Sequence, residues 1–295
     1  MKTNRIFIAV LFISSLFMVS CINDDLDNVN EELTNADVMK QLKISDVAIW
    51  NTLTTQSIDL STLKSSNLKS GQAMQEYPNG DVYYFALFED LYPSEGDYDF
   101  NDIIIRSKLG LEVKGNVITG YVDSKIVNKG GSLPVEIGLM FYKVNGKKYT
   151  RIPNKDITID GERLVEGEGP WTIPYNEFGT ERKVNFTCTY QGAGIGNIWI
   201  NYFIVTVKDG KRTEILTSGF APTNVATEFE TPNLNFISSK NKLPWGLEIE
   251  AKEFAIPNEK VLFLKAYPQF KGWVESGGNQ NKKWFDNPDE DYTHN

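Results

Sequence analysis

Short runs of β-branched and aromatic residues, separated by turn residues, fill the chain from Gly71 onward. Asp81–Phe88 is the first strong run, and Ile198–Val205 is apolar on both faces, as expected of a strand covered on both sides. Four tight-turn signals lie between strand-like runs, at Gly115-Asn116, Asn145-Gly146, Asp160-Gly161 and Asp209-Gly210. Such pairs accept the positive φ values of hairpin turns. The pattern predicts an all-β fold, an antiparallel, jelly-roll-like β-sandwich.

A short helix is predicted near the C-terminus, over Pro268–Ser276. Proline is favoured in the first turn of a helix, and Gly277-Gly278 supplies the stop. Residues 21–70, in contrast, are polar and carry no clear strand periodicity. We interpret them as an N-terminal tether, partly irregular and partly helical around Val38–Ile49.

The remaining sequence is predicted to form one compact unit over residues 71–290. Its acidic-motif part covers 71–147, and its C-terminal part covers 148–290. We find no internal repeat that would divide this region further.

The first twenty residues have the pattern of a secretory signal peptide. Lys2 and Arg5 form a basic start, and Ile6–Val19 is an apolar run that is too short for a comfortable membrane span. The run ends at Ser20-Cys21, and a small residue followed by cysteine resembles the lipobox of bacterial lipoproteins. The resemblance implies a lipid anchor on Cys21. The alternative is a plain secreted protein with a cysteine near the cleavage site.

Acidic residues lie shortly after this cysteine, in Asn23–Asp27. Such a run resembles the signal that sends some lipoproteins to the outer face of the outer membrane, although it also fits a solvated linker. We expect an outer-membrane, surface-exposed protein held to the membrane through Cys21. With Cys21 acylated there is no disulfide framework, so Cys188 is predicted to be a packed core thiol.

The chain is acidic, with 30 Lys+Arg against 39 Asp+Glu and a formal charge of −9. Removing residues 1–20 takes away two positive charges and leaves −11. This charge argues against a nucleic-acid partner. The single histidine, His294, lies beside the C-terminus in a tail expected to fray. Histidine-based nucleophiles and histidine-built metal sites are therefore excluded, so any catalysis would have to rest on carboxylates, Lys or Tyr. We predict that the protein is not an enzyme.

An acidic motif after Asp81–Phe88 is the main chemical signal. Its candidate ligands are Glu89, Asp90, Asp97, Asp99, Asn101 and Asp102, and Glu95 is a further carboxylate in the same stretch. In an extended stretch, one face would carry Asp97, Asp99 and Asn101, and the other would carry Tyr98 and Phe100. Carboxylates this close repel one another unless a cation neutralises them, and Ca²⁺ takes about six to eight oxygen ligands. We predict a Ca²⁺ site built from these six residues.

The motif is not an EF-hand. Asp97, Asp99 and Asn101 match the first three ligand positions of that loop, but Asp102 replaces the turn glycine and Lys108 replaces the bidentate glutamate. The structural alternative to a metal site is a polar loop whose Asp and Asn side chains cap backbone groups.

At this motif the chain resembles a known family. Phe88–Asp90, followed by Gly96–Asp102 and an aliphatic strand, is similar to the LruC domain, named from a leptospiral lipoprotein. The C-terminal stretch resembles the domain of unknown function that accompanies it in many bacterial lipoproteins. The matching residues there are Pro244-Trp245, Ile256–Glu259, Ala266–Phe270, Trp273–Gly278 and Trp284. The resemblance covers residues 71–288 and implies a β-rich, exported, lipid-anchored protein, but it implies no activity. Phe285 departs from the family's usual Trp-Tyr ending.

Three functions fit these features. The first, which we favour, is a non-enzymatic surface module, stabilised by Ca²⁺, that binds a glycan or protein partner, as in adhesion. The second is a structural subunit of a surface fibre or envelope assembly, which would pair through a sheet edge. The third is a glycosidase, which would need two carboxylates about 5–10 Å apart across a cleft. Five of the six tryptophans are expected in the core rather than on a sugar-stacking platform. They are Trp171, Trp199, Trp245, Trp273 and Trp284.

Overall fold

The computed structural model describes most of the chain after residue 73 and two short stretches before it. The described residues are 33–44, 58–59, 74–145, 148–165, 171–175, 179, 181–189, 197–217, 236–238, 240–259 and 261–295. The predicted signal peptide, Cys21 and the acidic run after it lie outside these residues. A compact unit extends from Asn35 to Asn295. In the described part of the chain, no helix is long and apolar enough to cross a bilayer.

Strands dominate the described residues. They are β1 (Ile58–Asp59), β2 (Gln75–Tyr77), β3 (Tyr83–Phe88), β4 (Ile103–Lys114), β5 (Val117–Asn128), β6 (Val135–Asn145), β7 (Lys148–Arg151), β8 (Ile157–Ile159), β9 (Glu162–Arg163), β10 (Trp171–Tyr175), β11 (Glu181–Thr189), β12 (Asn197–Lys208), β13 (Lys211–Leu216), β14 (Gly246–Ala251), β15 (Ile256–Pro257) and β16 (Thr293–His294). The α-helices are α1 (Asn35–Lys40), α2 (Phe263–Ala266) and α3 (Gln269–Glu275). Single 3₁₀ turns lie at Asn154–Asp156, Trp284–Asp286 and Glu290–Tyr292.

These strands form two large sheets and one small one. The eight-stranded sheet has the order β14-β3-β4-β5-β11-β8-β9, with β2 beside β4. The six-stranded sheet has the order β1-β12-β6-β10, with β13 beside β12 and β7 beside β6. The strands β15 and β16 pair with each other. Every described pairing is antiparallel, so the predicted all-β antiparallel sandwich is confirmed.

All four predicted turn positions lie between strands that pair with each other: β4 with β5, β6 with β7, β8 with β9, and β12 with β13. At Asp160 and Gly161 φ is 47° and 88°, and at Asp209 and Gly210 it is 50° and 76°. Both pairs therefore have the two positive φ values of a type I′ turn. The predicted central strand is found in β12, which is buried from Ile198 to Thr206.

Two hydrophobic cores lie on opposite faces of β3. Tyr84, Ala86 and Phe88 belong to the first core, which the two large sheets share. Phe85 and Leu87 belong to the second, which we call the cap core because the C-terminal helices cover it. Since successive side chains of a strand point to opposite faces, one strand contributes to both cores.

Aromatic side chains fill the cap core around Trp284, which is fully buried. Its ring lies 4.9 Å from that of Phe270 and 5.1 Å from that of Tyr267. The predicted C-terminal helix is present as α3, and the two glycines after it have positive φ values of 65° and 83°. Of the five tryptophans that were expected in the core, four are buried, and the side chain of Trp171 lies outside the described residues. The buried four are Trp199, Trp245, Trp273 and Trp284.

The helix α1 packs against the cap. Met39 is fully buried in the cap core, and the side-chain oxygen of Asn35 accepts a 2.8 Å hydrogen bond from the Phe263 N–H. Lys40 pairs with Glu95 at 2.9 Å. This helix begins before the predicted helical stretch at 38–49, and residues 45–49 of that stretch lie outside the described residues. Met39 and Asn35 attach the helix to the cap. Part of the predicted tether thus belongs to the folded unit.

Two residues with chemically reactive side chains, Cys188 and His294, are held within the folded structure. Cys188 is a free, fully buried thiol, and burial raises its pKa to about 12, so the predicted core role is confirmed. His294 lies in β16 rather than in a frayed tail, because the strand pairs with β15. Its Nδ1 atom is 2.8 Å from Oδ1 of Asn258.

Candidate metal centre

The acidic motif forms the connection between β3 and β4. The two strands pair up to Phe88 and Ile103, so the loop leaves and re-enters the sheet at neighbouring positions. The N–H of Glu89 still donates to the Trp245 carbonyl at 2.9 Å, which extends the β14–β3 pairing by one residue. The carboxylates of this loop are therefore held against the end of a rigid sheet.

Glu89 is the centre around which the loop folds. Its side chain is fully buried, and its two carboxylate oxygens accept the backbone N–H groups of Tyr98, at 3.0 Å, and Phe100, at 2.7 Å. Gly96 lies so close that a Cβ atom there would be 2.2 Å from Oε2 of Glu89. Only glycine fits at that position without displacing the carboxylate.

The predicted extended conformation of this stretch is wrong. Tyr98 and Phe100 have φ values of 60° and 54°, in the left-handed region that non-glycine residues rarely adopt. The turn directs both N–H groups at the carboxylate of Glu89, and these hydrogen bonds offset the backbone cost. The hydrophobic underside predicted from the sequence is nevertheless present, because both rings are fully buried in the cap core. The Phe100 ring lies 5.5 Å from that of Phe263.

Three of the six predicted ligands converge directly. Glu89, Asp97 and Asp99 each offer a carboxylate oxygen, and these atoms lie within 4.8 Å of one another. Glu89 and Asp99 are buried, whereas Asp97 is exposed. The three carboxylates thus form a small oxygen-lined site that is open to solvent on the side of Asp97.

Asn101 contacts this group through Asp99. Its side-chain nitrogen donates to Oδ2 of Asp99 at 2.8 Å, and its backbone N–H contacts Oδ1 of the same carboxylate at 3.3 Å. The Asn128 side chain in turn donates to the Asn101 carbonyl. Asn101 therefore orients Asp99.

Asp90 and Asp102 form a second pair beside the first group. Oδ2 of Asp102 accepts the Asp90 N–H at 2.9 Å. A Cβ atom on Gly131 would lie 2.3 Å from Oδ2 of Asp90 and 3.4 Å from the Asp102 side chain. The loop between β5 and β6 thus passes directly over this pair.

The sequence analysis missed Glu259 as a member of the site. A Cβ atom on Gly130 would lie 3.0 Å from Oδ1 of Asn101 and 3.2 Å from Oε1 of Glu259, so both oxygens flank that glycine. Glu259 had appeared only as part of the motif at Ile256–Glu259. Nothing in the local spacing connects it to residues more than 150 positions earlier.

The electrostatics of the site favour a cation. Burial, together with the charge of Asp97, raises the pKa of Asp99 to about 7. Burial, together with the charge of Asp90, raises the pKa of Asp102 to the same value. Burial also holds the pKa of Glu89 well above its ordinary value, with the neighbouring aspartates adding to the effect. Each carboxylate is costly to ionise here, because burial removes water and the nearest charges are negative.

The arrangement is compatible both with backbone capping and with cation binding. The bonds from Tyr98, Phe100 and Asp90 are those expected of a capped polar loop. They leave the converging oxygens of Glu89, Asp97 and Asp99 with further lone pairs. Oxygen donors in this number and hardness suit Ca²⁺ better than a soft transition metal.

Fold and site together define an antiparallel β-sandwich with a helical cap and an acidic loop at the end of the strands. Residues 166–285 match the model of a domain of unknown function, DUF4842. This match agrees with the predicted resemblance of the C-terminal stretch. The resemblance of the preceding part to the LruC domain stays a prediction.

Two further comparisons are more distant. A search of curated proteins gives no match. A crystal structure of a Bacteroides ovatus protein described as a lipoprotein aligns with a TM-score of 0.44 and 17% identity, over 72% of this chain and 76% of that one. A similarity this distant does not define a shared fold or function.

Proposed function

We propose that the protein is an exported lipoprotein of the cell envelope, anchored through Cys21 on the outer membrane and exposed at the surface. Its β-sandwich is stabilised by Ca²⁺ and binds a glycan or protein partner without catalysis. The anchoring rests on the signal-peptide pattern and on Ser20-Cys21. The buried position of Cys188 supports it, because that thiol is not accessible to pair with Cys21.

The observation that carries the Ca²⁺ proposal is the convergence of Glu89, Asp97 and Asp99 within 4.8 Å, with two of the three buried. Ca²⁺ would be held by these three carboxylates. Asp90, Asp102 and Glu259 would add negative charge around it, and Asn101 would orient Asp99. An ion bound there would join the acidic loop to the cap, because Asn101 also contacts the Pro257 carbonyl, at 3.5 Å.

Absence of catalysis is part of the same proposal. A glycosidase needs two carboxylates in different roles on opposite sides of a cleft. In Glu89, by contrast, both carboxylate oxygens accept hydrogen bonds from backbone N–H groups of its own loop. The carboxylate of Asp102 accepts a hydrogen bond from the backbone N–H of Asp90. Such carboxylates are arranged to hold a loop and a cation. A structural role in a surface assembly stays the alternative.

Thermal unfolding in EDTA and in millimolar CaCl₂ tests the Ca²⁺ site. A ligand that binds only the folded state stabilises it by about 2.7 kcal/mol at one hundred times its dissociation constant. We expect the melting temperature to rise with Ca²⁺, and the rise to be lost in an Asp97→Asn, Asp99→Asn variant. Asp81→Asn is the matched control, because that side chain is 87% exposed and lies outside the site. The Ca²⁺ site would be refuted if Ca²⁺ raised the melting temperature equally in both variants, or did not raise it in the unaltered protein. The acidic motif would then be only a capped loop.

A further inference from the structure

The helix α1 is the first described element after the predicted anchor at Cys21. It has only six residues, Asn35–Lys40, and isolated helices shorter than about 12–15 residues are marginal in water. Its helical form therefore depends on the surfaces that it contacts, which are the helical cap and the acidic loop. We call residues 35–44 the strap.

Buried side chains and a backbone hydrogen bond attach the strap to the cap. Met39 and Leu42 are buried in the cap core. Oδ1 of Asn35 accepts the N–H of Phe263, which lies in the first turn of α2 and so has no acceptor within that helix. The strap thus covers part of the cap core and completes the hydrogen bonding of a cap helix.

An ion pair attaches the strap to the acidic loop. Nζ of Lys40 lies 2.9 Å from Oε2 of Glu95. The hydrogen bond in this pair raises the pKa of Lys40 and lowers the pKa of Glu95, and Lys240 adds a weaker attraction for the same carboxylate. Glu95 directly precedes Gly96, which packs against the carboxylate of Glu89. The strap therefore contacts the turn that folds around the centre of the candidate site.

Asn241 connects the same turn to that centre. Its Nδ2 atom lies 3.4 Å from Oε1 of Glu95 and 3.1 Å from the Tyr98 hydroxyl. The backbone N–H of Tyr98 donates in turn to Oε2 of Glu89. The position of Glu95 relative to Lys40 therefore depends on the conformation of the turn around Glu89.

A cation in the loop would act directly on this turn. Asp97 lies two positions after Glu95 and is one of the three converging carboxylates. Without a cation, these carboxylates repel one another when ionised, which favours movement of Asp97 away from Glu89. A cation between them would hold Asp97 in place and keep Glu95 opposite Lys40.

The strap is held less firmly than the sheets. Asp37, Lys40, Gln41 and Lys43 are exposed, and the side chains of the pair between Lys40 and Glu95 are 35% and 26% exposed. Segments with few buried contacts open locally before the whole fold unfolds. A small change in the acidic loop is therefore sufficient to shift the balance between the docked and the released strap.

We propose that docking of the strap is coupled to the acidic loop, so that the strap stays docked while the loop holds Ca²⁺ and is released more readily without it. This inference rests on the Ca²⁺ site proposed above and names the regulation that it exerts. Coupling is reciprocal, so the docked strap also strengthens binding in the loop. Release moves the first attachment of the tether from Asn35 to Ile58 at the latest, because Ile58 pairs with β12. A longer tether lets the domain stand further from the membrane.

Thiol labelling of the detergent-purified full chain measures release of the strap. Met39→Cys places a thiol at a fully buried position, so it reacts with a maleimide only when the strap opens. Cys188 is buried in the sandwich and reports unfolding of the whole domain, and peptide mass spectrometry distinguishes the two thiols. We expect the introduced thiol to react faster than Cys188. It should react at least about fivefold more slowly in millimolar CaCl₂ than in EDTA, the lower end of typical coupling between two sites.

Variants of the ion pair test the contact with the loop in CaCl₂. Lys40→Gln and Glu95→Gln, each added to Met39→Cys, should accelerate labelling by about 1.5- to 5-fold, the range for a partly exposed ion pair. The two changes together should be no faster than either alone. Lys43→Gln is the matched control, because it carries the same change of charge and Lys43 contacts Glu275 through its backbone N–H. It should leave the labelling rate unchanged.

The strap is refuted as a separately opening segment if the introduced thiol reacts no faster than Cys188. Its contact with the loop is refuted if Lys43→Gln accelerates labelling as much as Lys40→Gln. Melting curves of the same samples separate the inference from the Ca²⁺ site. A melting temperature that rises with Ca²⁺, with labelling that does not respond, overturns only the coupling. If neither responds to Ca²⁺, both the metal site and its regulation are refuted.

Discussion

Ca²⁺ binding should raise the free energy of unfolding of this protein, whereas a rise in pH without Ca²⁺ should lower it. Without Ca²⁺, the folded state holds Asp99 with a pKa of about 7, against an ordinary value of 3.8. Between these two values the folded state binds more protons than the unfolded state. The free energy of unfolding therefore falls as pH rises from about 4 to about 7. This is the reverse of the usual aspartate, whose pKa is lowered by folding.

The magnitude follows from the same two values. A difference of one pH unit in pKa corresponds to about 1.4 kcal/mol, so ionising Asp99 inside the fold costs about 4 kcal/mol. Asp99 is only 3% exposed, so solvent screens little of this cost. Asp102, with the same raised pKa, acts in the same direction. In EDTA, the free energy of unfolding should therefore fall steeply as the pH rises.

Ca²⁺ should cancel that decrease. It binds the ionised carboxylates, so its stabilising effect should be small at pH 5 and largest at pH 8. Urea unfolding at pH 5, 6, 7 and 8, followed by fluorescence of the buried tryptophans, measures both curves. In Asp99→Asn we expect a shallower pH dependence in EDTA, by about 1.4 kcal/mol per pH unit, and a weaker effect of Ca²⁺. Asp81→Asn should follow the unaltered protein. Stability in EDTA that is flat or rises from pH 5 to pH 8 would refute the electrostatic reasoning.

Three further predictions concern single positions. Gly96→Ala should displace the carboxylate of Glu89 and lower the free energy of unfolding by about 1–3 kcal/mol, measured by urea unfolding in Ca²⁺; an unchanged value would show that the loop can move aside. Trp284→Ala should cost about 3–5 kcal/mol in the same assay, because the ring is fully buried among aromatic neighbours; a loss below 1 kcal/mol would contradict its central place. Cys21→Ser should abolish metabolic labelling with a radioactive fatty acid and release the protein from membranes, whereas Cys188→Ser should remain labelled; label retained without Cys21 would disprove the anchor.

Local sequence determined most of the strands and turns. Asp160-Gly161 and Asp209-Gly210 could be assigned because two adjacent positive φ values favour few residue pairs. The helix α3 was visible from proline before it and glycine after it. The pairing of β14 with β3 had no such signal, because it joins residues about 160 positions apart.

The structure of the acidic loop, too, could be predicted only in part from the local sequence. Its composition identified the candidate ligands, and Asp97 and Asp99 do converge with Glu89. The conformation was predicted incorrectly, because the alternation rule assumes an extended backbone and the buried carboxylate of Glu89 imposes left-handed turns instead. Glu259 could not be found from spacing, since the packing of the cap brings it to the loop.

The pairing of β14 with β3 also determines what can be inherited as a unit. The stretch that matches DUF4842, residues 166–285, contains β14 and the cap helices but neither β3 nor β4, on which they pack. Excised alone, it would expose the cap core and leave β11 without its partner β5. The boundaries of the sequence family therefore cut through a cooperative folding unit. In this protein, the matched stretch should therefore fold only when a preceding segment supplies β3, β4 and β5, so a fragment limited to residues 166–285 would be a poor choice for expression.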